Sequence, residues 1–278
     1  MKGWFSLEYE PEFSVEPGES VSFHAFNAGW RWDPDVEATR PEGAGHALNG
    51  PIEVRGAEAG QTLLVHIDEV VPRAWGETFG DGERFLWTLH GDEWICGRHR
   101  VRSAPFLGVI GLPPPEPGEH STIPPRKWGG NIDCKMLVEG TTLYLPISGD
   151  GALLLAGDCH GAQGDGEVSG TAIECPLERA TLTLDVSDLE LRMPIARTPN
   201  AWIAFGFDED LDAAAALATE TMLDLMEREL DIPRAEALAL ASVSVDLHVT
   251  QVVNVAKGVH AILRARATSS SCPTSARD

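Results

Sequence analysis

Glycine and proline recur at short intervals through most of this chain, and this punctuation limits its fold more than any other feature. The 278 residues include 28 Gly and 19 Pro. Up to about residue 208 they fall where turns between short strands are expected. Apolar or alternating runs between these turns predict strands over 20–26, 50–72, 141–148, 152–158 and 180–195. The GDG turn at 149–151 predicts that its flanking strands pair, and 180–195 is predicted to hold another pair.

The pattern changes after residue 208. An Ala- and Leu-rich stretch over 208–229 has apolar residues at helical spacing, with Asp208 or Asp210 as the predicted N-cap. A second helix is predicted over 232–244 and a strand over 245–254. The predicted fold is mainly β (β-rich α+β), with a β-sandwich or barrel-like body and a small C-terminal helical element.

Three segments follow from this change of pattern. Residues 1–208 are expected to form the β-rich body that carries the chemistry. Residues 209–266 are expected to add the helical segment and a returning strand packed on that body. The polar tail 267–278 is expected to be disordered.

Charge and composition exclude several classes of partner. Lys and Arg total 21 against 43 Asp and Glu, a formal charge of −22. Such a surface disfavours nucleic acid and anionic membranes, which both require cationic charge. No apolar run approaches a membrane span, and acidic residues stand where a signal peptide would be apolar. Five scattered Cys without a CxxC pair are typical of reduced thiols, so a cytoplasmic protein is expected.

The candidate metal-binding and catalytic side chains lie in two segments, 126–135 and 155–174. In an extended strand, Asp158 and His160 project to the same side, where a carboxylate and an imidazole can share a divalent metal. Asp133, which follows a Gly-Gly-Asn turn, is the best third ligand. An open coordination position on such a metal would activate water. The readings that remain open are an exposed acidic turn with a surface His160, or a calcium loop.

Other catalytic patterns are weak. The chain has no GxSxG, GxGxxG or Walker loop, and Cys159 and His160 would face opposite sides of a strand. The segment 111–130 holds six prolines, so it is predicted to be irregular, either as a functional loop or as a linker between domains.

Several segments together resemble the acetamidase/formamidase family of amide hydrolases. The most specific is 129–174, in which GGN-x-D, LYLP and GD-x-H-x-x-QGDGE occur in that order. Residues 45–70, 107–115 and 244–263 extend the resemblance over most of the chain. The resemblance implies a β-rich fold, hydrolysis of short aliphatic amides to carboxylate and ammonia, a divalent metal (zinc, with calcium as the alternative) and a homodimer or higher homo-oligomer.

The resemblance also suggests roles for individual residues. The expected metal ligands are Asp133, Asp158 and His160, with Glu174 in reserve. The expected catalytic residues are Glu167 as general base, Asn131 as oxyanion donor, and Asp165. The expected substrate-binding residues are His46, Gln163 and Trp30.

The segment 22–34 departs from the family pattern and brings Phe26, Trp30 and Trp32 close together. These aromatics either pack in the core or line the substrate pocket. The second case would favour a γ-lactam or a larger amide as substrate. A member that binds a metal or ligand without catalysis is the remaining alternative.

Overall fold

The computed structural model describes residues 1–264, and the predicted tail over 267–278 lies outside them. The strands, in chain order, are β1 Trp4–Phe5, β2 Phe13–Val15, β3 Glu19–Ala25, β4 Arg31–Asp33, β5 Val36–Glu37, β6 Leu48–Val54, β7 Thr62–Pro72, β8 Trp75–Gly80, β9 Glu83–His90, β10 Glu93–Cys96, β11 His99–Arg102 and β12 Phe106–Gly111. They continue as β13 His120–Ser121, β14 Gly129–Asn131, β15 Thr142–Pro146, β16 Leu154–His160, β17 Glu174–Cys175, β18 Leu177–Ser187, β19 Ile195–Thr198, β20 Ala201–Asp208, β21 Val245–Gln251 and β22 Lys257–Arg264. The helices are α1 Leu211–Leu230 and α2 Arg234–Ser244.

Two large sheets contain most of these strands. One has ten strands in the order β11-β10-β9-β8-β17-β16-β12-β14, with β6 joining β16 and β2. The other has eight, in the order β21-β22-β20-β19-β15-β7-β18-β3. The main apolar core draws on both, for example Leu107 and Ile110 from the first and Val65 and Leu182 from the second. The prediction of a mainly β fold with a small C-terminal helical element is therefore confirmed. The division into three segments stays a prediction.

Helix α1 packs on β20 and β22 of the eight-stranded sheet. It begins one residue after Asp210, whose side chain accepts a hydrogen bond from the Ala213 amide at 2.9 Å, as an N-cap does. Its buried side includes Ala214 and Ala218. A Cβ on Gly206 of β20 would lie 2.2 Å from the Ala214 carbonyl oxygen, so only glycine permits the helix to approach this strand. Neither helix within residues 1–264 combines the length and apolar character needed to cross a bilayer.

Two predicted strand pairs are wrong. Strands β15 and β16, on either side of the GDG turn, lie in different sheets. Ala152 and Leu153 between them take left-handed φ values of 59° and 48°, which redirect the chain in place of a hairpin. In the second predicted pair, β18 joins β3 and β7, while β19 joins β15 and β20.

The proline-rich segment is irregular, as predicted, apart from the short strand β13. It leaves the ten-stranded sheet at the end of β12 and returns as β14, which pairs with β12 itself. A linker between domains is therefore excluded. This loop and the neighbouring strands β12, β16 and β17 place the end of β14 beside the polar segment 155–174.

Candidate active site

Four acidic side chains surround one imidazole where β17, β16, β12 and β14 lie side by side. Nε2 of His160 lies 3.3 Å from Oδ2 of Asp158, 3.4 Å from Oε2 of Glu174 and 4.0 Å from Oδ1 of Asp133. Glu167 completes the cluster from the loop between β16 and β17. None of the five is more than 7% exposed. The structure thus brings together the three predicted metal ligands, the predicted general base and the reserve ligand.

Strand β12 leaves room for this cluster at Gly108. A Cβ built there would meet Asp133 Oδ1 at 2.7 Å, Asp158 Oδ2 at 2.7 Å and His160 Cε1 at 2.8 Å. No real side chain tolerates such contacts, so the absence of a Cβ is what allows the three groups to converge. Asp133 and Asp158 both have positive φ, 52° and 59°, a backbone strain that commonly accompanies functional sites.

The cluster contains more negative charge than the protein itself neutralises. Among the described residues, Asp133 Oδ1, Asp158 Oδ1 and Glu174 Oε2 are buried without a hydrogen-bond partner. Unpaired buried charge costs several kcal/mol, about 3–5 when a partner is removed, so such oxygens require a cation or protons. Ligand atoms of Asp133, Asp158 and His160 lie within 4.8 Å of one another, as do those of His160, Glu167 and Glu174. The cluster could therefore hold a metal ion.

The pKa values reflect the same crowding. Burial, followed by the nearby Glu167 carboxylate, raises the pKa of Asp133 well above its usual range. Burial raises the pKa of Glu167 to about 7, and it also raises the pKa of Glu174. Burial alone would lower the pKa of His160, but the Glu174 and Asp158 carboxylates outweigh it and raise that pKa. Asp158 has the opposite balance, since His160 and His46 overcome its burial and lower its pKa.

Gln163 connects two members of the cluster. Its Oε1 lies 2.9 Å from Nδ1 of His160, and its Nε2 donates to the backbone oxygen of Asp133 at 2.7 Å. With Oε1 as the acceptor, Nδ1 carries a ring proton, and Nε2 is the nitrogen that faces the carboxylates and would bind a metal once deprotonated. Gln163 was predicted to bind substrate, but its polar atoms are used within the site.

A cavity of about 160 Å³ opens over the cluster. Asn131 and His46 lie on its wall, as expected of substrate-contacting groups. Asn131 is 3% exposed, and its Oδ1 has no partner among the described residues. His46 bonds through Nδ1 to Thr122 Oγ1 at 2.8 Å, which leaves Nε2 3.9 Å from Asp158 Oδ2.

Two predicted site residues lie elsewhere. Trp30 is 4% exposed in a small apolar cluster with Ala44 and Ala47, and its Nε1 donates to the Gly45 carbonyl oxygen at 2.8 Å. Trp30 has a φ of 59°, and its indole packs in this apolar cluster. The next residue, Arg31, lines the cavity instead. Asp165 does not line this cavity either.

The Asp165 carboxylate instead makes two ion-pair contacts outside the cavity. It lies 3.0 Å from the ammonium group of Lys135 and 3.2 Å from Nδ1 of His248.

Arg31, Glu77 and Asn254 are among the cavity residues that the prediction missed. Glu77 is 1% exposed and accepts hydrogen bonds from Asn27 and Arg31, at 2.8 and 3.1 Å to its Oε1, and from Arg84. None of the three belongs to a local motif. The apolar run 245–254 was predicted as strand to its end, but β21 stops at Gln251 and the next residues turn into the site.

Comparison with known proteins supports the resemblance seen in the sequence. The model of the Acetamidase/Formamidase family matches residues 117–200. This range includes Glu174 and all the predicted site residues except His46 and Trp30. An acetamidase of Mycolicibacterium smegmatis is 23% identical over 58% of this chain and 66% of its own length. The chain spans about half to two thirds of the length of the curated relatives it matches.

Solved structures match over nearly the whole chain. An acetamidase from Bacillus halodurans superposes with a TM-score of 0.86 at 28% identity, covering 95% of this chain and 94% of that one. A predicted acetamidase/formamidase from Thermoanaerobacter tengcongensis has a TM-score of 0.87 at 26% identity, covering 94% and 92%. Together these findings confirm the resemblance that the motifs predicted.

Proposed function

We propose that this chain, which resembles the acetamidase/formamidase family in its site motif and its fold, hydrolyses short aliphatic amides to a carboxylate and ammonia. The observation that carries the proposal is the imidazole of His160 among four buried carboxylates, at the base of a small cavity. Three of those carboxylates have an oxygen without a hydrogen-bond partner among the described residues. A cluster of this kind has no structural use that a simpler apolar core would not serve better.

The cluster suits a divalent cation held by Asp133, Asp158 and His160, with Glu174 beside them. One imidazole with carboxylates is a donor set typical of zinc, and calcium is the alternative because carboxylate oxygens predominate. Such a cation supplies Lewis-acid activation of the substrate carbonyl and of water.

The remaining steps fall to the protein's own side chains. Glu167 lies on the cavity wall with a pKa of about 7, so it can accept a proton from water and return it to the leaving nitrogen. The second transfer is essential because an amide anion is a poor leaving group. Asn131 would hydrogen-bond the amide group of the substrate, and His46, which also lines the cavity, would contact the substrate as well. Asp165 has no part in this scheme, because its carboxylate is paired with Lys135 and His248 outside the cavity.

The cavity favours a small amide over a larger one. Its volume of about 160 Å³ is small beside the 300–1,000 Å³ typical of sites for drug-sized ligands. The larger-amide alternative depended on Trp30 and Trp32, and neither is among the residues that line this cavity. The cytoplasmic location and the homo-oligomer both stay predictions.

The test combines elemental analysis of the purified protein with assays on four amides: ammonia release from formamide, acetamide and propionamide, and ring opening of a γ-lactam to its amino acid. We expect about one equivalent of zinc per site and turnover of the linear amides. His160→Ala should lose both the metal and the activity, whereas His99→Ala, on an exposed strand, should lose neither. If the protein binds metal but hydrolyses none of the four amides, the hydrolytic proposal is wrong and a binding role takes its place.

A further inference from the structure

A loop far along the chain returns to the cluster and touches one of its carboxylates. Residues 252–256 connect β21 to β22, and Nδ2 of Asn254 donates to Oδ2 of Asp133 at 2.9 Å across 121 residues of sequence. Asn254 also lies on the cavity wall. The resembling segment 244–263 contains this residue, but the GGN-x-D and GD-x-H-x-x-QGDGE motifs and the family match over 117–200 do not.

The loop is held rigidly although it has no regular structure. Gln251 is fully buried, and its Nε2 donates to the Ala256 carbonyl oxygen at 2.7 Å. Its Oε1 accepts from the backbone amides of Val253 and Asn254, both at 3.1 Å. One side chain thereby ties both ends of the loop together and fixes the backbone at Asn254.

A second set of bonds ties the loop to the segment that carries Glu167. The Gly166 amide donates to the Thr250 carbonyl oxygen at 3.0 Å, and the Val252 amide donates to the Gly166 carbonyl oxygen at 3.2 Å. The loop and the predicted general base are therefore parts of one connected unit.

The contact limits how Asp133 can orient its carboxylate. Its backbone amide donates to the Gly108 carbonyl oxygen at 3.2 Å, and its backbone oxygen accepts from Gln163 at 2.7 Å. With Oδ2 bonded to Asn254, the carboxylate plane cannot rotate freely. The other oxygen, Oδ1, stays on the side of His160, buried and without a partner among the described residues.

From this geometry we infer that Asn254 is a positioning residue, which holds Oδ2 of Asp133 so that Oδ1 is presented to a divalent cation. The inference rests on the proposed function for the identity of the site. Outer hydrogen bonds of this type orient ligating carboxylates, and their removal typically costs about 10- to 100-fold in metal affinity. Asn254 would thus act on cation affinity without binding the cation itself.

The experiment measures Zn²⁺ affinity by competition with a chromophoric chelator, and ammonia release from acetamide as a function of Zn²⁺ and of substrate. Asn254→Leu keeps the approximate size of the side chain and removes the donor, and Asn254→Ala serves as the second variant if leucine disturbs folding. Asn254→Gln retains an amide donor and should recover part of the affinity. Val255→Ala is the matched control, because Val255 is in the same loop and 61% exposed.

We expect Asn254→Leu to bind Zn²⁺ about 10- to 100-fold more weakly. At saturating Zn²⁺ its turnover should recover to within about threefold of the parent, with KM for acetamide unchanged. Unchanged Zn²⁺ affinity would overturn the inference, and with a raised KM it would indicate that Asn254 contacts the substrate instead. Zn²⁺ affinity can be measured even if no amide is hydrolysed, so failure of the proposed reaction and failure of this inference give different results.

Discussion

The side-chain oxygen of Gln163 lies 2.9 Å from Nδ1 of His160, whereas the acidic cluster lies at the other ring nitrogen, Nε2. This bond selects the tautomer in which Nε2 can bind a metal. Gln163→Leu should therefore lower Zn²⁺ affinity about 10- to 100-fold, and should affect KM for an amide less. Chelator competition measures the first quantity and steady-state kinetics the second. Gln61→Leu is the control, because the half-buried Gln61 side chain bonds to Glu58 and Asp188 and not to the cluster. Equal Zn²⁺ affinity in the two variants would contradict the proposed role.

Gly108→Ala tests the space in which the three predicted ligands meet. A methyl group at this position would contact Asp133, Asp158 and His160 at 2.7–2.8 Å, so these side chains must separate. We expect Zn²⁺ binding to fall by at least about 100-fold and the free energy of unfolding to fall by about 1–3 kcal/mol, the usual cost of overpacking. Calorimetry and elemental analysis measure the two effects. Gly80→Ala is the control, because its nearest atom is 3.9 Å away; normal metal content in Gly108→Ala would show that the cluster does not bind the ion.

The stability of the metal-free protein should fall as the pH rises from about 4.5 to 7. Burial raises the pKa of Glu167 from 4.5 to about 7, and the pKa values of Asp133 and Glu174 are also raised. In this range the folded state holds protons that the unfolded state has released, so deprotonation favours unfolding. Glu167 alone corresponds to about 3 kcal/mol, at 1.36 kcal/mol per pKa unit. The raised pKa of His160 acts in the same direction at higher pH, and the lowered pKa of Asp158 matters only under more acidic conditions.

Thermal unfolding in the presence of a chelator, followed across this pH range, measures the slope. Glu167→Gln should flatten it, because a neutral amide has no proton to lose. Added Zn²⁺ should stabilise the protein more at pH 8 than at pH 5, since the cation binds deprotonated carboxylates. A metal-free protein whose stability rises steadily between pH 5 and 7 would rule out these carboxylates as the dominant titrating groups.

Trp30 should contribute to stability and not to substrate choice. Trp30→Phe removes the indole donor and leaves the Gly45 carbonyl oxygen without its 2.8 Å bond, at a cost of about 1–3 kcal/mol. The ratio of kcat/KM between acetamide and propionamide should stay the same. Phe79→Leu, on the cavity wall, is the comparison that should change this ratio. A clear change in the acetamide-to-propionamide ratio of kcat/KM in Trp30→Phe would show that Trp30 does influence substrate binding.

Local patterns in the sequence identified the centre of the site but not its surroundings. Asp158 and His160 are two residues apart on one strand, and the Gly-rich stretch after them carries Glu167, so these groups could be found from spacing and resemblance. Asn254 and Glu77 reach the site through strand pairings between distant parts of the chain, which no single segment encodes. Glutamate is common in this sequence, and Asn254 lies in the resembling segment 244–263 without a motif of its own, so neither residue was singled out before the fold was known.

One error in strand pairing has a physical cause that the sequence pattern does not show. Ala152 and Leu153 take left-handed φ values after the GDG turn, and the chain passes from one sheet to the other there. Neither residue type is expected at positive φ, unlike glycine. Apolar runs on either side of a Gly turn therefore could not show that the chain changes sheets at this point.

The bond between Asn254 and Asp133 also has a consequence for the order of biosynthesis. A ribosome delivers Asp133, Asp158 and His160 well before residue 254, so a nascent chain would display the ligands without the group that orients one of them. The site is therefore expected to reach its full affinity for the ion only at the final stage of folding, after β21 and β22 have docked.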